Sequence, residues 1–218
     1  RPLIESVMVS VTAFEHPFDK TAKAWLLGAP IKKSARFVMT ARTAELEAQC
    51  PDRVTEDGAY MVVQTTCLKR YRLGQTIRFG AGGNGWAYAQ DGWSVPSAAG
   101  VWTRGEMGAS LTLEITEPIR SGNYRLSVDS LAYLGQRHPV QMVDVEVNGT
   151  LVAEWRFDLE QPAGWRTAAI PHELLAGGSA SIVFRSPGST SPAAVGDSSD
   201  TRILGIGIKA MILAADGL

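Results

Sequence analysis

The 218-residue chain has no run approaching 18 consecutive apolar residues, so no stretch of it is long and apolar enough to span a membrane as a helix. It is also poor in net charge: 21 Lys and Arg against 22 Asp and Glu leave −1 at neutral pH. That balance withholds the clustered basic excess from which nucleic-acid binders gain affinity, and nucleic acid is excluded as an expected partner. Histidine is scarce. His16, His138 and His172 are far apart, and no second Cys or His pair lies at ligand spacing, which disfavours a zinc site. Long amphipathic helices between strands are missing, which argues against Rossmann and α/β-barrel enzymes. The chain opens on Arg1 with no basic-then-apolar leader, so it reads as a piece of a longer protein, with any targeting or membrane-anchoring segment expected upstream.

What is present is turn chemistry and period-two alternation. The 22 Gly and 11 Pro punctuate short apolar–polar segments. Val7, Val9 and Val11 form one such pattern, and residues 61–66 read as a strand entering Cys67. Leu111, Leu113 and Ile115 form another, as do Tyr124, Leu126 and Val128, and Ala180, Ile182 and Phe184. Ile206, Ile208, Ala210 and Ile212 continue the pattern near the C-terminal end. Alternation of this kind buries one face of an antiparallel sheet, and several such strands between turns predict an all-β, antiparallel β-sandwich. Residues 41–49, ARTAELEAQ, are the best helical stretch, so one or two short helices are expected.

One hairpin can be read residue by residue. Val143, Val145 and Val147 alternate toward Asn148-Gly149, and Leu151, Ala153, Trp155 and Phe157 alternate away from it. A two-residue Asn-Gly loop would pair Val145 with Val152 and set the Trp155 face opposite the valine face. A three-residue loop, Val147-Asn148-Gly149, pairs Val145 with Leu151 and Val143 with Ala153. It keeps the apolar residues on one side, so that register is expected.

Cys50 and Cys67 enclose 16 residues. Two separate buried thiols are the plain alternative to a bridge. The even count, short separation and polar neighbours Pro51, Asp52 and Arg53 favour a disulfide and an oxidising compartment.

Unusual residues concentrate at 79–105, FGAGGNGWAYAQDGWSVPSAAGVWTRG, with Trp86, Trp93, Trp102, Tyr88 and seven glycines. The Walker spacing and its Lys-Ser/Thr are absent, so the glycines do not read as a phosphate loop. Two readings stay open. The rings plug the ends of a sandwich, or Trp86, Tyr88, Trp93 and Trp102 stack on sugar faces while Asn84, Gln90 and Asp91 bond the hydroxyls.

Residues Tyr71-Arg72-Leu73-Gly74, Ile77-Arg78-Phe79-Gly80, Gly92-Trp93-Ser94-Val95-Pro96 and Gly100-Val101-Trp102-Thr103-Arg104-Gly105 form an ordered set. Gln141, the Val145–Gly149 run, Ser191-Pro192 and the 196–206 run Gly-Asp-Ser-Ser-Asp-Thr-Arg-Ile-Leu-Gly-Ile extend it. Together they resemble a bacterial domain found C-terminal to multi-spanning membrane proteins similar to glycosyltransferases of surface-polysaccharide assembly. The resemblance covers about residues 70–213. It implies a jelly-roll-like sandwich, similar to carbohydrate-binding modules, on the periplasmic or extracellular side of the bacterial envelope, with a membrane-protein partner. Residues 71–218 are accordingly assigned to the sandwich. Residues 1–70, outside the resemblance, are expected to pack on it or complete it with help from the 50–67 bridge.

Catalytic readings are weaker. Gly196-Asp197-Ser198 matches the start of the GDSL-hydrolase motif, but it lies late in the chain with no histidine after it. Asp91, Glu106, Asp197 and Asp200 would have to converge to act as a carboxylate pair in a glycan-modifying enzyme. Asp197 and Asp200 read first as turn residues capping amides, and second as hard ligands for a structural Ca²⁺. The expectation is a non-catalytic domain that binds glycan or polysaccharide and needs no cofactor beyond that calcium. The alternatives are a protein-interaction scaffold of a membrane complex and a carboxylate-based enzyme.

Overall fold

Alternating Val, Leu and Ile can bury one face of a strand only if something apolar covers that face. Here a second sheet does so. The computed structural model describes residues 37–41, 47, 50, 55–57, 60–80, 83–105 and 107–216. In chain order the elements are β1 (Phe37–Ala41), β2 (Thr55–Asp57), β3 (Tyr60–Gln64), α1 (Thr65–Leu68), β4 (Arg70–Tyr71) and β5 (Ile77–Arg78). A 3-10 turn (Gly85–Ala87), β6 (Val101–Arg104), β7 (Ala109–Ile115), β8 (Asn123–Ala132) and β9 (Val140–Val147) follow. Then come β10 (Thr150–Asp158), β11 (Ala163–Pro171), α2 (His172–Leu175), β12 (Ser179–Arg185) and β13 (Leu204–Ala215).

One sheet has the order β10-β9-β12-β7-β4, and the other β11-β8-β13-β5 with β6 also on β13. From β7 onward the chain changes sheets at every connection except the β9–β10 hairpin. This wrapping makes an all-β, jelly-roll-like sandwich. Pairing is antiparallel throughout the two sheets, apart from the short parallel β4–β7 contact. The core lies between the sheets: Leu111, Leu113, Val143, Val145, Val147, Ile182 and Phe184 from one, and Leu126, Val128, Ile206, Ile208, Met211 and Leu213 from the other, all fully buried. Each such side chain contributes on the order of 1.5–3 kcal/mol relative to exposure. A small sheet, β1-β3-β2, precedes the sandwich, and Leu68 of α1 joins the common core.

Cys50 and Cys67 are bonded, with Cα atoms 5.5 Å apart. Closing a loop of this length is worth roughly 3 kcal/mol in the chain-entropy account. Among the described residues no helix is long and apolar enough to cross a membrane.

Three local expectations need correction. The strand expected over 61–66 ends at Gln64, and Thr65 and Thr66 begin α1. The hairpin turn has two residues, not three: Val147 pairs with Thr150, and Asn148 (φ 49°) with Gly149 (φ 80°) forms the left-handed pair that a tight β-hairpin requires. A bulge between Leu151 and Ala153 then resets the register, pairing Val145 with Ala153 and Val143 with Trp155. Trp155 and Phe157 do join Val143, Val145 and Val147 on the buried side, through the bulge, but Leu151 pairs with Glu146 rather than Val145 and is exposed. Asn148 fixes the turn by donating to the Leu174 and Ser179 carbonyls and accepting from the Ser181 amide. In β13 a second bulge, between Ile208 and Ala210, changes the inward phase. Ile206 and Ile208 point inward, and beyond the bulge Met211 and Leu213 do so in place of Ala210 and Ile212. The strand Val7–Val11 and His16 lie outside the described residues, as does most of the helical stretch 41–49; Ala41 closes β1 and Glu47 is helical.

Two aromatic residues tie the sheets together. Trp155, on the free edge of β10, donates its indole N–H to the Thr167 carbonyl of β11 at 2.9 Å, bridging one open side of the sandwich. The buried Tyr71 hydroxyl accepts the Leu213 amide at 2.8 Å and shares its proton between the carbonyls of Gln75 (2.7 Å) and Leu213 (3.0 Å). Burial pushes its pKa well above the usual phenol range, so it stays neutral in this role.

Candidate functional site

Within the 79–105 segment, residues 89–94 run between β7 of one sheet and β6 of the other. The segment is held by backbone bonds from Gln90 to Ser110 and from Ser110 to Asp91, and by isolated bridges of Ala89 to Leu111 and Trp93 to Thr103. Close backbone approach explains two of its glycines. A Cβ on Gly92, which sits at φ +81°, would lie 1.8 Å from the Gly108 carbonyl oxygen, and one on Gly83 would lie 2.2 Å from that of Arg78.

This anchoring sends the four candidate rings to different places. Tyr88 is fully buried, edge-on to Tyr71 at 6.1 Å, with its hydroxyl donating to the Arg70 carbonyl. Trp93 is 5% exposed, stacked on Phe79 at 5.1 Å, and donates its indole N–H to the Ser110 carbonyl at 2.7 Å. Neither ring has a face open to a sugar; their position is that of packing residues. Trp86 is half-buried against the core and walls a small, shallow pocket with Phe79, Ala89, Trp93, Ser94, Pro96 and Val101. Trp102 follows the buried Val101 along β6 and so points to the opposite, outer side of the sheet.

The polar candidates divide similarly. Asn84 accepts the Arg78 amide through its side-chain oxygen at 2.8 Å, which shapes the loop. Gln90 donates to the carbonyls of Tyr88 and Ala89, both at 3.3 Å. Asp91 is exposed.

Asp197 and Asp200 sit in the loop before β13 and already hold protein partners. Asp200 binds Arg202 by side-chain contacts of 2.6–3.1 Å and accepts the Arg202 amide at 3.0 Å. These bonds hold its carboxyl down at about 2. Asp197 accepts the Tyr133 hydroxyl, which pushes that phenol up to about 12. Arg137 secures the same loop by donating to the Val195 carbonyl at 2.7 Å. Among the described residues no three His, Cys, Asp or Glu side chains gather as metal ligands, and a guanidinium occupies Asp200. The donor set does not fit a calcium ion. Glu106 lies outside the described residues.

One tryptophan escaped the sequence reading. Trp165 on β11 is 51% exposed, the only large aromatic ring among the exposed hydrophobic residues described. Its signal was available: Ala168 and Ile170 fix the inward phase of the strand, and Trp165 stands out of phase with them.

No protein-family model matches the chain, and no curated protein does. Several solved structures are similar to it at low identity. A family GH115 4-O-methyl-α-glucuronidase with specificity for decorated arabinogalactans matches at 10% identity and TM-score 0.36, over 53% of this chain and 14% of that one. A family 35 carbohydrate-binding module from an environmental isolate matches at 16% identity and TM-score 0.33, over 66% of this chain and 85% of its own. A family 35 module from Paenibacillus barcinonensis matches at 13% identity and TM-score 0.35, over 66% and 91%. The chain thus spans only about a seventh of the glucuronidase but most of the length of each isolated module.

Proposed function

We propose that this chain is a non-catalytic glycan-binding module acting outside the bacterial cytoplasmic membrane. The observation that carries this reading is Trp86, a half-buried indole lining a shallow pocket beside the Phe79–Trp93 stack. An indole beside apolar neighbours suits the C–H-rich face of a pyranose, while Ser94 in the pocket and Gln90 and Asp91, which follow its Ala89 in the chain, are the candidate hydroxyl partners. The pocket is too small to enclose a sugar, so a ring would lie across its mouth against Trp86. The 50–67 disulfide supports a location in an oxidising compartment. The resemblance over residues 70–213 supports an accessory role beside a glycosyltransferase-like membrane protein in envelope polysaccharide assembly.

The test is titration of short oligosaccharides, released from arabinogalactan, β-1,4-mannan, xylan and a bacterial capsular polysaccharide, into the whole chain. Binding is expected with at least one of these, and Trp86→Ala is expected to weaken it about tenfold. Silence of the wild-type chain toward every one of them, and toward the parent polymers, would overturn the proposal.

A further inference from the structure

The outer face of the β11–β8–β13 sheet carries side chains whose placement follows from strand register. Directly paired residues of neighbouring strands share a face. Trp165 pairs with Asp129, and Asp129 with Ala210, which pairs in turn with Arg78 of β5. One row further, Leu131 pairs with Gly207, and Gly207 with Trp102. The residues alternating with these on β8, Val128, Ser130 and Ala132, are buried, so Asp129 and Leu131 face outward.

Gly207 is essential to the second row. A Cβ there would lie 2.9 Å from Leu131 Cδ2 and 3.5 Å from Trp102 Cε2. Its absence lets the leucine and the indole close over the strand from either side. The result is a floor of small residues, Gly207 and Ala210, flanking the exposed Lys209, between Trp165 on β11 and Trp102 on β6. Three strand spacings separate those two strands, roughly 14 Å.

We infer that this face is a second glycan-binding surface, and that it holds an extended internal segment of a polysaccharide running across the strands from Trp102 to Trp165. The inference rests on the reading of the chain as a glycan-binding module. Three observations select this occupant. The two rings lie on the outermost strands of these rows, β11 and β6, so a ligand that touches both must cross the strands between them. Their separation exceeds one sugar ring, so a single sugar cannot touch both. The polar groups between them carry both signs, with Asp129 and Arg78 on either side of Ala210 in one row and the exposed Lys209 beside it, which suits a hydroxyl-rich chain. A protein partner would instead call for a contiguous patch of large aliphatic side chains. The exposed ones, Val95, Met107, Leu151, Leu159 and Ile203, lie on other strands and loops.

The experiment compares the whole chain with Trp165→Ala, Trp102→Ala, Trp165→Phe and Trp86→Ala, titrated with arabinogalactan, β-1,4-mannan, xylan and the capsular polysaccharide, and with oligosaccharides of increasing length from each. For any polymer that binds, Trp165→Ala and Trp102→Ala are each expected to weaken affinity about tenfold while leaving short-oligosaccharide affinity unchanged. Trp165→Phe keeps a ring and should restore most of the loss. In the wild-type chain affinity should climb with oligosaccharide length until both rings are spanned, then level off. Trp165 stands half-exposed at an edge, so its alanine variant tests the surface even if Trp102→Ala fails to fold. Unchanged polymer affinity in Trp165→Ala, alongside loss of binding in Trp86→Ala, would overturn the second surface and leave the module reading standing. Absence of wild-type binding to every polymer and oligosaccharide would overturn both.

Discussion

The 79–105 segment and strand β11 use tryptophan under opposite conditions. The first is dense in rings, and that density is what makes them bury one another: Trp93 stacks on Phe79, Tyr88 meets Tyr71, and Trp86 closes over them. The second has one indole between Gly164 and Arg166, with no aromatic neighbour in its strand, and it remains half in solvent. A cluster of rings in sequence is therefore a poor guide to a binding surface. Clustered rings are each other's cheapest route out of water, whereas an isolated ring out of phase with its strand's core face has no such route.

The largest expected effect probes the buried half of that comparison. Trp93→Ala removes a ring 5% exposed together with its indole bond to Ser110. It should destabilise the fold by about 3–5 kcal/mol in chemical denaturation, against about 0.5 kcal/mol or less for Trp165→Ala. Similar losses in the two variants would erase the distinction. An intermediate effect sharpens the exposed half. Gly207→Val forces Leu131 and Trp102 apart and should lower stability by about 1–3 kcal/mol, with a parallel loss of polymer binding. Retention of both would mean that the glycine does not organise the face.

The smallest effect separates both aromatic regions from the polar loop before β13. The Asp200 carboxyl is held at about 2 by Arg202, below its ordinary value. Its contribution to stability is therefore complete above about pH 4, where the unfolded carboxyl is also ionised, and fades as pH falls toward 2. Stability between pH 5 and 7 should not respond to this pair. A carboxyl-carbon NMR titration should place the Asp200 midpoint near 2, moving upward in Arg202→Gln. A wild-type midpoint near 4 would remove the pair from consideration.

Much of the sandwich is written in the chain because alternation is a local consequence of a buried sheet face. Leu111–Ile115, Tyr124–Val128 and Ala180–Phe184 all fall in strands with the inward phase their spacing implies. The bulges are not legible in the same way. The extra residue near Val152, and Lys209 between Ile208 and Ala210, are set by what the neighbouring strand must match, which is information held elsewhere in the chain. Turn chemistry is visible at Asn148-Gly149, yet the loop length is not, because a bulge at Val152 does what a longer turn would otherwise do. At the candidate site, composition gave Trp86 and Trp102 but could not tell them from Trp93 and Tyr88. Opposite facing of consecutive residues along β6, and the anchoring of the loop on β7, decide that division. Trp165 was recoverable from the phase of Ala168 and Ile170, but it stood outside the dense segment that drew attention.

Strand β13 has a consequence for how the protein comes to exist at all. It is an interior strand of its sheet, flanked by β8 on one side and by β5 and β6 on the other, and it receives the Tyr71 hydroxyl from 142 residues earlier. A chain emerging from its N-terminus supplies this strand after every other strand of the sandwich. Until it arrives, β8 has an open edge, β5 and β6 have no partner in the sheet, and the apolar faces of β8 and β11 lack part of their cover. Assembly is thus governed by contacts between residues remote in sequence, which slows folding and leaves sheet edges exposed for longer.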